Sequence, residues 1–317
     1  MANSRSSSSA LWRLGLSALL LFPLLGDASV WLQQRYAKSA DTAEMRTEFV
    51  LTEGAFPEGK PQVLSGSAAY YLRDTEGHVS ERNISSAAVP FEPPYKGNYH
   101  LFIEERHVEA EVLHVILAKT RAYNMHGDLA AALASEIRGK TVGSYYGKPP
   151  LPEIPFEIVM QRPIKHHHIN CCIYSGDIAR FKIYFRQEAQ QNIPLTVITQ
   201  TGWRNRFLPD DTGMIAFEIP RNSYADIHTD KRHKEWMLVE AEYTEPASGV
   251  YNGVPYTGVR YTMSIPLSFH SSPLEYTSEL PGFFTVIGVM LVFSLGAYYH
   301  RRRKRKTPTE IWFDDDA

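Results

Sequence analysis

Only two of the 317 residues are cysteine, and they are adjacent, Cys171 and Cys172. Two adjacent thiols cannot build a disulfide framework, so stability has to come from a packed core. Neither sign of charge is in excess: 33 Lys and Arg stand against 35 Asp and Glu, a net charge of -2. The basic surplus of a nucleic-acid-binding domain is absent. Charged residues make up 21% and hydrophobic residues 44%, proportions that exclude global disorder. There is no Gly-x-Ser-x-Gly elbow, no His-Glu-x-x-His and no phosphate-binding loop. Each would have announced a specific catalytic chemistry, so the chain reads as non-enzymatic.

Long hydrophobic runs are equally scarce, and their places are informative. Residues 280–299 (LPGFFTVIGVMLVFSLGAYY) carry no charge, a stretch long enough to cross a bilayer. His300 and the basic run RRRKRK follow at once. Cations flanking a spanning helix stay on the cytoplasmic side, which predicts a cytoplasmic tail at 300–317 and an exported region before the span. At the other end, Arg5 and Arg13 precede the apolar stretch 14–25, and Gly26 and Ala28 are small residues at cleavage-site spacing. Residues 1–28 therefore read as an export signal, with an uncleaved N-terminal anchor as the alternative.

Between these ends, Tyr, Val, Ile, Phe and Thr recur in short runs broken by Gly, Pro, Asn and Asp, the pattern of strands and turns. FKIYFR, PLTVITQT, MIAFEIP, EWMLVEAEYTE and VRYTMSIPLSF each read as a strand. Imperfect alternation in EWMLVEAEY leaves room for a bulge. EERHVEAEVLHVILAKTR fits either a strand or a helical stripe; it follows YHLFIEE without a breaker and is assigned as strand. A short helix is expected at 128–138, capped by Asp128 and ended by Gly139. Two stretches echo each other: an Asp-x-x-Gly turn (Asp74 to Gly77, Asp210 to Gly213), then Phe-Glu-x-Pro, then a strand ending in Glu. With the Pro/Gly-rich stretch 143–155 as a boundary, two β-sandwiches are expected, at 39–150 and 151–278.

The segments LPEIPFEIVMQRPI, SGDIARFKIYFRQEAQQNIPLTVITQTGW, PDDTGMIAFEIP and WMLVEAEY resemble a domain of the periplasmic components associated with bacterial cobalt and nickel uptake. That resemblance implies tandem immunoglobulin-like sandwiches, an inner-membrane protein with its ectodomain in the periplasm, and a role beside a metal transporter complex. A cell-envelope module that binds a protein or a glycan without a metal is the alternative reading.

The densest local chemistry is KHHHINCC, three imidazoles and two thiols in one short run. Imidazole nitrogen and thiolate sulfur suit Ni, Co, Cu or Zn. In an extended segment His166, His168 and Cys172 share one face, and His167 and Cys171 the other. Two or three ligands from one face are geometrically reasonable; a structural zinc needs four, so a histidine from another strand would complete it. Plain packing, a vicinal disulfide and pairing with another chain remain open for the same residues. His100, His107 and His114 recur every seven residues, and on a strand successive members would point to opposite faces. His126, His228 and His233 read as turn or loop residues, and TGWRNRF as a loop with a packed Trp203 or an aromatic–cationic patch.

Overall fold

A computed structural model describes residues 28–38, 45–64, 66, 68–74, 77–93, 97–124, 146–165, 173–221, 233–272 and 279–304. Residues 1–27 of the expected signal (1–28), the expected helix at 128–138, and His126 and His228 lie outside these residues. The first half of the chain forms β1 (Ser29–Lys38), β2 (Met45–Ala55), β3 (Glu58–Pro61), β4 (Ala68–Arg73), β5 (Val79–Ile84), β6 (Ala88–Pro90), β7 (Gly97–Glu109) and β8 (Val112–Asn124). The second half forms β9 (Phe156–Ile164), β10 (Ile178–Phe185), β11 (Glu188–Ala189), β12 (Leu195–Thr199), β13 (Arg204–Phe207) and β14 (Met214–Glu218). It continues with β15 (Lys234–Glu245), β16 (Gly249–Tyr251), β17 (Val254–Tyr256), β18 (Gly258–His270) and the helix α1 (Glu279–Lys304). The protein is mainly β, as its composition predicts.

The described residues divide into two compact units. The larger contains those up to Arg162, then Arg180–Phe217 and Trp236–Leu267; the smaller contains Pro163–Ala179, Glu218–Glu235 and those from Ser268 onward.

The larger unit is organised by a single eight-stranded sheet, in the order β13-β12-β15-β18-β8-β7-β4-β5. Its strands come from both sides of the 143–155 stretch, and they meet where β18 pairs in parallel with β8, Gly258 opposite Val112 through Ser264 opposite Ala118. A small sheet of β1, β2, β3 and β6 supplies Val30, Leu32, Phe49, Leu51 and Val89 to one core. The large sheet meets them with Tyr70, Tyr99, Leu101, Ile103 and Ala118. Each large side chain buried this way contributes roughly 1.5–3 kcal/mol. Side chains of alternate residues point to the opposite face. There a second small sheet, β9, β10, β11 and β14, forms an aromatic core with β13, β15 and β18. Phe217 stacks on Phe207 at 4.6 Å, and Phe185 lies 4.7 Å from Tyr243 and 5.3 Å from Tyr261. Register between β12 and β15 is unbroken from Leu195–Ala241 to Thr199–Met237, so no bulge interrupts the pairing there.

Read outward from the β8–β18 pair, the two halves match: β8-β7-β4-β5 on one side and β18-β15-β12-β13 on the other. In each, the fourth strand leads into a strand of a small sheet (β6 or β14) before the chain returns. A two-fold axis along the strands would exchange the halves, keep the central pair parallel and swap the faces. The echo in the sequence therefore corresponds to a repeat of topology, but its turns are misaligned. Asp74 closes the β4–β5 hairpin, accepting from the N–H groups of Gly77 at 2.7 Å and His78 at 2.9 Å. Asp210 makes the same turn, accepting from Thr212 N at 2.8 Å and Met214 N at 2.9 Å. Its turn, however, carries the chain from β13 in the large sheet to β14 in a small one, and joins no hairpin. Both glycines take the positive φ the turn requires, 98° at Gly77 and 72° at Gly213.

The ambiguous stretch 104–121 is two strands. Ala110 (φ 47°) and Glu111 (φ 62°) turn β7 back on β8 in a two-residue hairpin, a turn ordinarily built from Asn and Gly. Left-handed backbone at a residue with a Cβ costs on the order of 1 kcal/mol. Glu111→Gly is therefore expected to raise stability by about 1 kcal/mol, read as a shift of the thermal or urea midpoint. The backbone bond from Thr257 N to Glu111 O (2.9 Å) survives the change; a lowered midpoint would refute the strain.

In the smaller unit, α1 is 26 residues long, about 39 Å at 1.5 Å per residue. Its apolar side chains are exposed on every side, Val292 at 69% and Phe293 at 74% among them. It is long and apolar enough to span a membrane, and Arg301, Arg302, Arg303 and Lys304 form its last turn.

Candidate functional site

The predicted metal ligands His166, His167, His168, Cys171 and Cys172 all lie outside the described residues. The residues that resume directly after them do not, and they are closely held. Ile173 O accepts from His270 N at 2.8 Å, and Ser175 N donates to His270 O at 2.8 Å, so the chain after Cys172 is paired with the end of β18. The rings of Tyr174 and His270 stand 6.1 Å apart. Ser271 N then donates to His233 O at 3.2 Å. A tight turn follows: Tyr174 N donates to Asp177 Oδ2 at 3.0 Å, and Gly176 N and Asp177 O bond the two backbone groups of Ile219 at 2.9 Å each. Within the smaller unit, the backbones of two further histidines, His270 and His233, thus belong to the network that begins where the described chain resumes after Cys172. His233 was visible in the sequence only as part of a charged loop. His270, the last residue of β18, carried no motif at all.

The heptad histidines separate as strand geometry requires. His100 is buried on one face of β7, its pKa pushed well below the usual histidine value by burial and by the cations of Lys119 and Arg73. His107 lies on the other face, where the hairpin brings it opposite His114 of β8, the rings parallel and 5.1 Å apart. His114 in turn lies opposite Arg260 of β18. Burial lowers the pKa of His114, and its neighbours His107 and Arg260 lower it further.

This row of His107, His114 and Arg260 forms part of the floor of a cleft of about 510 Å³ in the larger unit. From the large sheet it is lined by Glu105 and Glu109 of β7, Glu240 and Glu242 of β15, Thr196 of β12 and Arg204 of β13. Glu53, Gln62 and the start of β1 close its other side. Glu105 is only 2% exposed and accepts from Gln62 Nε2 at 2.7 Å. Arg260 pairs with Glu242 at 3.0 Å. Two buried atoms in the cleft wall, Gln62 Oε1 and His107 Nδ1, have no hydrogen-bond partner. Trp203, 37% exposed, packs its ring 6.3 Å from Phe207, and Arg204 and Arg206 beside it form an edge strand.

On the opposite face of the same sheet, the corresponding position is filled by the chain itself. Arg73 donates to Pro149 O at 2.7 Å, and Leu151 N to Glu157 Oε2 at 2.7 Å. Lys119 reaches Glu157 Oε1 at 2.6 Å. The two halves are therefore alike in strand order and unlike in what covers them. Among the described residues, no three His, Cys, Asp or Glu side chains stand close enough together to hold a metal ion.

No protein-family model matches the chain, and no curated protein does. Its functional reading rests on its own residues.

Proposed function

We propose that the chain is a membrane-anchored accessory protein of transition-metal handling, acting in cobalt or nickel uptake and having no enzymatic activity. In this reading α1 anchors it in the inner membrane, with the basic run 301–306 in the cytoplasm. The ectodomain is two immunoglobulin-like sandwiches lying in the periplasm, fused through the eight-stranded sheet. It presents an ion to a membrane transporter. His166, His168 and Cys172 are the first-choice ligands, with His167 and Cys171 as the pair on the other face.

The observation that carries this reading is the pairing of His270 with Ile173, the residue that follows Cys172. A donor from a second strand is what the local run lacks, and His270, whose backbone bonds to that of Ile173, is the residue this reading assigns to the task. Metal analysis of the full chain in detergent, under reducing conditions and with Ni, Co, Cu and Zn offered in turn, tests it. One bound ion is expected, with affinity falling at least about tenfold in His168→Ala, Cys172→Ala and His270→Ala, as loss of one ligand or its support requires. Absence of any bound ion, or indifference to all three substitutions, would refute it.

A cell-envelope module that binds a partner without a metal is the second reading, and the acidic cleft favours it. Among the described residues, no Trp, Tyr or Phe lines that cleft, which counts against a glycan, since sugars stack on aromatic faces.

A further inference from the structure

We propose that the cleft between β1, β7, β15 and β18 is a binding site for an aliphatic oligoamine, a small organic ligand carrying two or more ammonium groups on methylene spacers. Charge gives the first argument. Glu53, Glu105, Glu109, Glu240 and Glu242 line the cleft against Arg204 and Arg260, so with neutral imidazoles the balance is negative and an anionic ligand is excluded. Hydrogen bonding gives the second. Gln62 Oε1 and His107 Nδ1 are buried in the wall without partners, and a buried polar atom left unpaired calls for an explanation. An ammonium brings three donors and no acceptor, so small rotations of these two side chains toward an entering ammonium satisfy both.

The lining also limits the alternatives. A metal ion needs donors that converge, and no three carboxylate, imidazole or thiol groups do so among the described residues. Val30, Ile116 and the methyl groups of Thr196 and Thr262 are part of the same lining, an apolar share that suits methylene runs between charges. A volume of about 510 Å³ is of the size that holds small organic ligands. The opposite face shows what the protein does with a comparable position when it is self-sufficient: Lys119 supplies the ammonium, held by Glu157 at 2.6 Å. In the open cleft, among the described residues, no lysine lines the wall.

The test uses the full chain in detergent with a chelator present, so its outcome is independent of any bound metal. Calorimetric titration with spermidine is expected to show saturable one-to-one binding. Glu109→Gln combined with Glu240→Gln, both on the rim, should weaken it roughly tenfold, while Glu58→Gln on β3, outside the cleft, leaves it unchanged. Affinity should also fall as pH drops below the ordinary histidine value of about 6.5. His114, held below that value by burial and by its neighbours His107 and Arg260, then takes up a proton and adds positive charge among the five carboxylates and two arginines that face it. Unfolding midpoints of the variants verify that folding is intact. No saturable binding, equal affinity in the double variant, or n-butylamine binding as tightly as spermidine overturns the proposal. In a parallel titration without the chelator, tighter binding of Ni that is lost in His107→Ala overturns it in favour of a metal site.

Discussion

Lys119→Met is expected to destabilise the protein by about 3–5 kcal/mol, the usual cost of leaving one member of a buried ion pair behind. Lys119 and Glu157 have side chains 6% and 1% exposed, with Nζ and Oε1 2.6 Å apart. The ammonium also donates to Ile158 O at 3.2 Å and lies 5.1 Å from the centre of the Phe102 ring. Without it, among the described residues, the buried Glu157 carboxylate keeps the bond from Leu151 N and the more distant charge of Arg73. The double variant Lys119→Met, Glu157→Leu is expected to regain most of the loss, because well-packed apolar residues can replace such a pair at little cost. Urea unfolding of the four proteins gives the coupling directly; equal losses in the single and double variants would show that packing, and not charge, is what Lys119 contributes.

The same variant makes a second, pH-dependent readout. His100 is buried beside Lys119 and titrates well below the usual histidine value, chiefly because of its burial. The unfolded chain therefore binds a proton at His100 that the folded chain refuses. His100's contribution is fully present above about 6.5 and is lost as pH falls from there toward its folded value. Lys119→Met removes one of the cations that hold the folded value down, so stability should fall less steeply with acid. A steeper fall would show that another group dominates the acid transition.

A chain ending before Glu279 is expected to move from the carbonate-resistant membrane fraction to the soluble fraction. The span 282–304 is long and apolar enough to cross a membrane, with none of its residues buried, and a bilayer is the cover expected for Phe283, Val286, Met290 and Phe293. A single charge has a graded effect: Met290→Asp near the middle of α1 costs about 2.5–3.5 kcal/mol of insertion. Extraction of the intact protein by carbonate would refute the anchor. Retention of the truncated chain would assign the apolar stretch 14–25 as a second anchor.

Strands were legible wherever one face only is covered. β10, β12 and β14 alternate between buried and less buried positions, and their β-branched and aromatic residues carry the strand signal. β15 does not, because Met237, Leu238 and Val239 are all buried; its broken alternation reflects burial on both faces, and the pairing with β12 is regular. The β7–β8 turn escaped notice because neither Ala110 nor Glu111 is a turn residue, and because Val108, Val112, Val115 and Ile116 fall at helical spacing by coincidence across the hairpin. Asp-x-x-Gly was legible as a turn but not as a particular turn, since its bonds are local and serve any reversal of direction. The His/Cys run was legible because its chemistry is contiguous in the chain. The cleft was not: Glu105, His114, Glu240 and Arg260 each read as the solvent side of a separate strand, and only long-range pairing gathers them. His270 belongs to the same class.

The parallel β8–β18 pair also dictates an order of events. Its two strands are roughly 150 residues apart in the chain, a loop closure that makes such pairing slow. Until β18 has been synthesised, β8 and β15 each present an unpaired edge, ready to add a strand from another molecule. The strand that seals both edges is followed almost at once by α1, so the large sheet is completed only as synthesis approaches that helix. Chains terminated before β18 are then especially aggregation-prone, and a holdase that shields open sheet edges is the folding factor this topology most needs.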